Sequence, residues 1–259
     1  MGRLTRILAT ATAGRHSFLR RRTAVFFTFF FPAIIVVIFG VLVQTQSSGG
    51  GLFAEEPGWY IAGYLGVVVL FTPLSRVGSE VSRHRDTSQF EKLATTPLRR
   101  WEWLLAQTLV NTSVIGVASL LLLALLVFGT GATLSVTTEL ALVVPFVAIG
   151  TALFCSIGAM LGSFTSSQDG VIAASNGVAV PLLFLSEAFV SSEMLPGWLP
   201  LELSPMTYLT RGIRAVTYEG SIESDVIYGN PGPYLDLLIL CLFTTVVFVV
   251  AAKSLPQTD

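Results

Sequence analysis

Residues 80–103 read EVSRHRDTSQFEKLATTPLRRWEW, and this polar stretch lies between two long apolar runs. It carries too many charges to cross a bilayer and is too short to be a soluble domain. Phe90, Leu93 and Ala94 fall at i, i+3 and i+4, one face of a helix, and Pro97 stops that helix. A short amphipathic helix held at a membrane surface between two spans is a docking element.

Composition sets the class around it. Of 259 residues, 53% are hydrophobic and only 12% charged, and the mean hydropathy is +0.74. That much apolar surface does not fit inside one soluble core, so the expected fold is an all-α integral membrane protein. The net charge of -1 says little about partners, because in a membrane protein the placement of charge matters more than its sum. It gives no footprint for nucleic acid. Cys155 and Cys241 both lie in apolar runs and read as small hydrophobes. His16 and His84 lie in basic segments, which leaves no paired-histidine metal motif.

Six apolar runs are long enough to read as spans: 23–43, 59–75, 104–128, 139–162, 171–190 and 234–252. The first contains fifteen Val, Ile, Leu or Phe residues and no small-residue cleavage site, so it reads as a retained anchor. Its insertion is worth about -5 to -9 kcal/mol. An even number of spans puts both termini on one side.

Basic residues choose the side. Arg3, Arg6, Arg15, Arg20, Arg21 and Arg22 precede the first span, and Arg76, Arg83, Arg85, Lys92, Arg99 and Arg100 lie between the second and third. With Lys253 they make thirteen of the 15 basic residues, which predicts cytoplasmic termini and a cytoplasmic docking helix in a multi-pass plasma-membrane protein. The loop Ser163–Gly170 falls on the same side yet has no basic residue. Residues 1–22 are amphipathic, with Leu4, Ile7, Leu8, Ala11, Phe18 and Leu19 on one face, and are expected to lie in the inner interface. Residues 23–252 then form one six-span domain and 253–259 a cytoplasmic tail.

Between the last two spans, residues 192–214 are neither apolar enough to span nor polar enough for a free loop. Ser204 followed by Pro205 is a helix start, and Met206, Leu209, Ile213 and Val216 make an apolar stripe opposite Thr207, Arg211, Arg214 and Tyr218. The segment reads as re-entrant from the outer side. Pro196, Pro200 and Pro205 are expected to form a packed cap over a cavity, since irregular backbone at membrane depth needs cover.

These residues carry a family resemblance. The run from Phe90-Glu91-Lys92-Leu93 through Thr96-Pro97 to Glu102, after an acidic residue and a basic cluster, resembles the cytoplasmic loop of type-2 ATP-binding cassette (ABC) transporter permeases. Leu195-Pro196-Gly197-Trp198-Leu199, then Leu203-Ser204-Pro205-Met206-Thr207-Tyr208 ending at Arg214, is similar to that family's segment before its last span, and Pro181–Ser186 agrees. The resemblance implies a six-span permease subunit that exports a hydrophobic or amphiphilic substrate of drug, lipid or glycan type. It also implies a second permease subunit, identical or related, and a separate ATPase that holds ATP and Mg. Carried over by position, Arg85, Asp86, Phe90, Glu91, Leu93, Thr96 and Pro97 contact that ATPase. Pro196, Pro200, Pro205, Tyr208 and Arg214 belong to the outer re-entrant gate. No cofactor is expected in this chain, because its two lysines, Lys92 and Lys253, are not preceded by phosphate-cradling glycines.

Other residues leave alternatives open. Glu187 stands where the family carries a small residue; it either lines the outer end of the path or marks the water boundary. Arg211 and Arg214 pair with Glu219, Glu223 or outer phosphates, or touch substrate. Gly158 and Gly162 form a small-xxx-small pattern that serves either packing within one subunit or a dimer seam. Two other classes compete with the permease: an intramembrane enzyme, which needs catalytic groups at matching depth, and an ion- or proton-coupled secondary transporter, which needs midplane carboxylates. Glu139, Glu187 and Asp236 all lie near span ends.

Overall fold

A computed structural model describes residues 2–38, 55–190, 195–218 and 232–256. Every regular element among these residues is helical: α1 (Arg3–Arg20), α2 (Arg22–Val36), α3 (Ile61–Asp86), α4 (Gln89–Ala94), α5 (Arg100–Thr130), α6 (Val143–Phe164), α7 (Gln168–Phe184), α8 (Pro205–Thr217) and α9 (Pro233–Ser254). Tight 3-10 turns at Thr138–Leu142 and Leu201–Leu203 precede α6 and α8. Helices satisfy their own backbone groups, which is what an apolar surrounding demands.

Four of these helices are long and apolar enough to cross a membrane: α3, α5, α6 with its leading turn, and α9. They account for four of the six expected spans. The described parts of α2 and α7 are 15 and 17 residues long, short of the ~20 that a bilayer core asks of a helix. Residues 39–43 of the expected first span lie outside the described residues. The fifth run starts earlier than expected, because the Ser167 hydroxyl accepts a hydrogen bond from the Gly170 amide at 3.1 Å and caps α7 at its N-terminus.

The bundle is built around α3, whose residues from Ile61 to Leu70 are buried on every side. Its partner α6 crosses it with backbone against backbone. A Cβ at Gly158 would strike the Leu74 carbonyl, and one at Gly162 the Gly78 carbonyl. The small-xxx-small pair is therefore occupied inside one subunit, where missing side chains let the two helices approach.

Helix α8 nests against α3, α6 and α9, its expected stripe of Met206, Leu209, Ile213 and Val216 wholly buried. The opposite face departs from expectation: Thr207, Thr210 and Arg214 are buried too, because three helices enclose α8 rather than one. Pro196 and Pro200 also correct the expected cap. Both are exposed on a turn, beside an exposed Trp198. Their carbonyls already accept from the Leu199 and Leu203 amides at 2.9 and 3.0 Å, so this backbone needs no covering protein. Pro205 opens α8 at its first position, as expected.

At the basic end, α1 lies along α5 with Ile7 and Phe18 buried, while Leu4, Leu8 and Leu19 stay exposed beside Arg3 and Arg20. The outward faces of α5 and α9 are apolar, as lipid-facing surfaces are.

Candidate functional site

The docking stretch is built from three elements. Helix α3 continues past its apolar run to Asp86 and carries Arg83 and Arg85 in its last turn, cations that the negative end of the helix dipole favours. Ser88, at φ 50° in the left-handed region, reverses the chain into the six-residue α4. The chain then enters α5, where the Glu102 side chain accepts from the Arg99 amide at 2.9 Å and closes the first turn.

Phe90 of α4 sits in a triangle of rings, 5.4 Å from His84 and 5.4 Å from Trp103, which are themselves 5.5 Å apart. Phe90 and Leu93 both pack on a cluster that includes Val77, Val81, Trp103 and Leu104. The two residues expected to anchor a partner therefore face their own chain. Trp103 is buried beneath α4. Asp86, Gln89, Glu91, Lys92, Thr95, Thr96 and Pro97 are exposed, and so is Ala94, which leaves the apolar face expected of it; α4 offers an outside partner a largely polar surface on an apolar footing.

Arginines wire this hairpin to the rest of the basic end. Arg85 donates to the carbonyls of Gly162, Ser163 and Thr165, at 3.2, 2.9 and 2.8 Å, and so caps the C-terminus of α6. Arg100 donates to the Leu255 carbonyl at 2.8 Å, at the end of α9. Arg6 of α1 pairs with Glu102 at 2.8 Å. Glu80 of α3 is shared by Arg83 and, at 3.8 Å, Arg21. The helices that flank α4 are thus tied by polar contacts to α1, α6 and α9. Sequence reading placed Arg85 at a partner and missed Arg6, Glu80, Arg100 and Glu102; the acidic residue three after Arg99 was the one local signal available.

At the other end Glu187, 6% exposed, forms a fork with Arg211, whose Nε lies 2.7 Å from Oε2 while a terminal nitrogen bonds the second oxygen. Arg214 donates to the Glu187 carbonyl and, at 3.3 Å, to the Trp59 carbonyl, with its guanidinium 3.7 Å from the centre of the Trp59 ring. The start of α3, the end of α7 and α8 meet at these two arginines. Glu187 answers Arg211; the expected partners Glu219 and Glu223 lie outside the described residues. Tyr208 donates to the Glu202 carbonyl at 2.8 Å, and its ring packs near Phe243 of α9. Burial, with Glu56 beside it, pushes the Tyr218 phenol above its usual range, and it bonds Glu56 at 3.2 Å.

A bundle of long apolar helices, with a short helix braced by arginines at one end and an arginine knot at the other, defines a multi-pass membrane protein. The chain belongs to the ABC-2 type transporter family, whose pattern matches residues 5–218, α1 through α8. A comparison with curated proteins returns no match. It is therefore a membrane permease component of an ABC transporter, and members of this family normally work with an ATP-binding subunit.

Proposed function

We propose that this chain is the permease through which a separate ATPase drives export of a hydrophobic or amphiphilic substrate across the plasma membrane, with α4 as the coupling helix. Two copies, or one copy and a related permease, enclose the path. The termini and α4 lie on the cytoplasmic side, where ATP and Mg are held by the partner. Arg85, Asp86, Glu91, Thr96 and Pro97 form or brace the docking surface, and Phe90 and Leu93 hold it to the bundle. At the outer end Glu187, Tyr208 and Arg214 belong to the gate that α8 closes.

The observation that carries this reading is the placement of α4. Its exposed face is largely polar, its inner face is packed on Trp103, and its flanks are bonded to the ends of α6 and α9. Binding energy spent on the exposed face then biases the arrangement of the whole basic end, which is how a partner selects between two states.

The test is purification of the tagged chain from its native membrane. The wild type is expected to retain an ATPase bearing a phosphate-binding loop and to move substrate when ATP is supplied. Glu91→Arg, at an exposed position, is expected to insert normally and lose both. Retention of ATPase and transport by Glu91→Arg, or transport without any ATPase, overturns the proposal.

A further inference from the structure

We propose that the cavity bounded by α1, α2, α3 and α7 binds the anionic head of an amphiphile, with Arg76 as its receptor. This deepens the permease reading by naming a substrate class, and rests on it only for calling the amphiphile a cargo.

The cavity has a volume of about 480 Å³, is open to the surroundings and is walled by Phe18, Phe27 and Phe71. Small-molecule sites of roughly 300–1,000 Å³ share this mixture of apolar wall and few polar groups. Polar groups converge at one side of it: Thr72, Ser75, Arg76 and Ser79 fall at i, i+3, i+4 and i+7 on one face of α3. Ser175 and Asn176 of α7 and Thr28 of α2 add further polar groups.

Two of these groups are unpaired. One terminal nitrogen of Arg76 is buried without a hydrogen-bond partner among the described residues, and so is the Ser175 hydroxyl, which is 2% exposed. The Arg76 guanidinium lies 3.9 Å from the centre of the Phe18 ring. That contact offsets part of its lost hydration but accepts no N–H. A buried donor left unsatisfied is costly, so Arg76 calls for an acceptor from outside the chain.

The local charge selects the sign of the ligand. Arg76 also lines a small adjoining cavity of about 60 Å³ with Arg21 and Glu80. Glu80 is the single carboxylate lining either cavity, and it is already bonded to Arg83. The surplus is positive, so an anion with several acceptor oxygens fits. Phenylalanine walls would gain nothing from a small soluble anion, whereas an acyl chain laid along them removes apolar surface from water.

The test uses the full chain in a neutral detergent, with native mass spectrometry and three probes: phosphatidic acid, diacylglycerol with the same chains, and inorganic phosphate. Wild type is expected to bind phosphatidic acid about tenfold or more tighter than either of the others. Arg76→Gln is expected to erase that preference, Ser175→Ala to weaken it a few-fold, and Arg3→Gln, which removes the same charge from an exposed site, to leave it within about twofold. Equal binding of phosphatidic acid and diacylglycerol overturns the proposal without needing any variant. So does inorganic phosphate competing as well as the lipid, or Arg76→Gln keeping the preference. No ATPase enters the assay, so its failure leaves the permease reading standing, and loss of ATPase coupling leaves this site standing.

Discussion

Arg6 and Glu102 are 96 residues apart in sequence and 2.8 Å apart in space. The pair fastens the amphipathic α1 to the first turn of α5, directly beside the hairpin that carries α4. Glu102 is wholly buried and also closes its own helix by accepting from the Arg99 amide. One carboxylate therefore holds both the surface helix and the entry to a membrane helix.

Replacing Glu102 with Gln is expected to free α1 without unfolding the bundle. Ile7 is 5% exposed, so a cysteine placed there reports the release. In a background with Cys155 and Cys241 changed to Ala, Ile7→Cys should react several-fold faster with a polar maleimide once Glu102→Gln is added. Equal rates in the two backgrounds would mean that apolar contacts alone hold α1.

The α3–α6 crossing makes a second prediction. Gly158→Ala forces a Cβ into the Leu74 carbonyl, and backbone cannot yield as a flexible side chain can. A loss of about 1–3 kcal/mol is expected, read as a lower midpoint of thermal unfolding in detergent. Gly116→Ala in α5 and Gly177→Ala in α7 meet nothing within 4 Å and should be neutral or slightly stabilising. A ranking that reverses these would place the tight contact elsewhere.

The Glu187–Arg211 fork makes the third. Removing one partner leaves a charge with little water, at a cost of about 2–3 kcal/mol; this is lower than for a fully buried pair because the Arg211 side chain is 20% exposed. Glu187→Gln and Arg211→Gln should each lower stability by that order. The double variant Glu187→Gln with Arg211→Gln should lose less than their sum. Strict additivity in this cycle would show that the two side chains act independently.

Much of this molecule was legible in the chain, and the legible part was local. The apolar stripe of α8 and its Ser204-Pro205 start, the amphipathic α1, and the polar interruption around α4 follow from periodicity and from the chemistry of helix ends. What escaped was the choice of partner. Periodicity marks Phe90 and Leu93 as one apolar face, but a foreign cleft and the chain's own Trp103 satisfy that face equally well. Arg211 advertises a need for an anion without telling Glu187 from Glu219. Arg85 reads as a free cation in a line of cations; only folding brings the carbonyls of α6 beneath it. That placement also answers the oddity of a turn at 163–170 with no basic residue, because a guanidinium from α3 is delivered to its start.

The mutual fit of Gly78, Gly158 and Gly162 sets a limit on how this protein can change shape. Two rods that touch through their peptide groups have no compliant layer between them, so α3 and α6 travel as one lever. Any rocking that opens one end and shuts the other has its pivots outside this pair. Arg85, bolted across the end of that lever, ties the two rods together once more at the basic end.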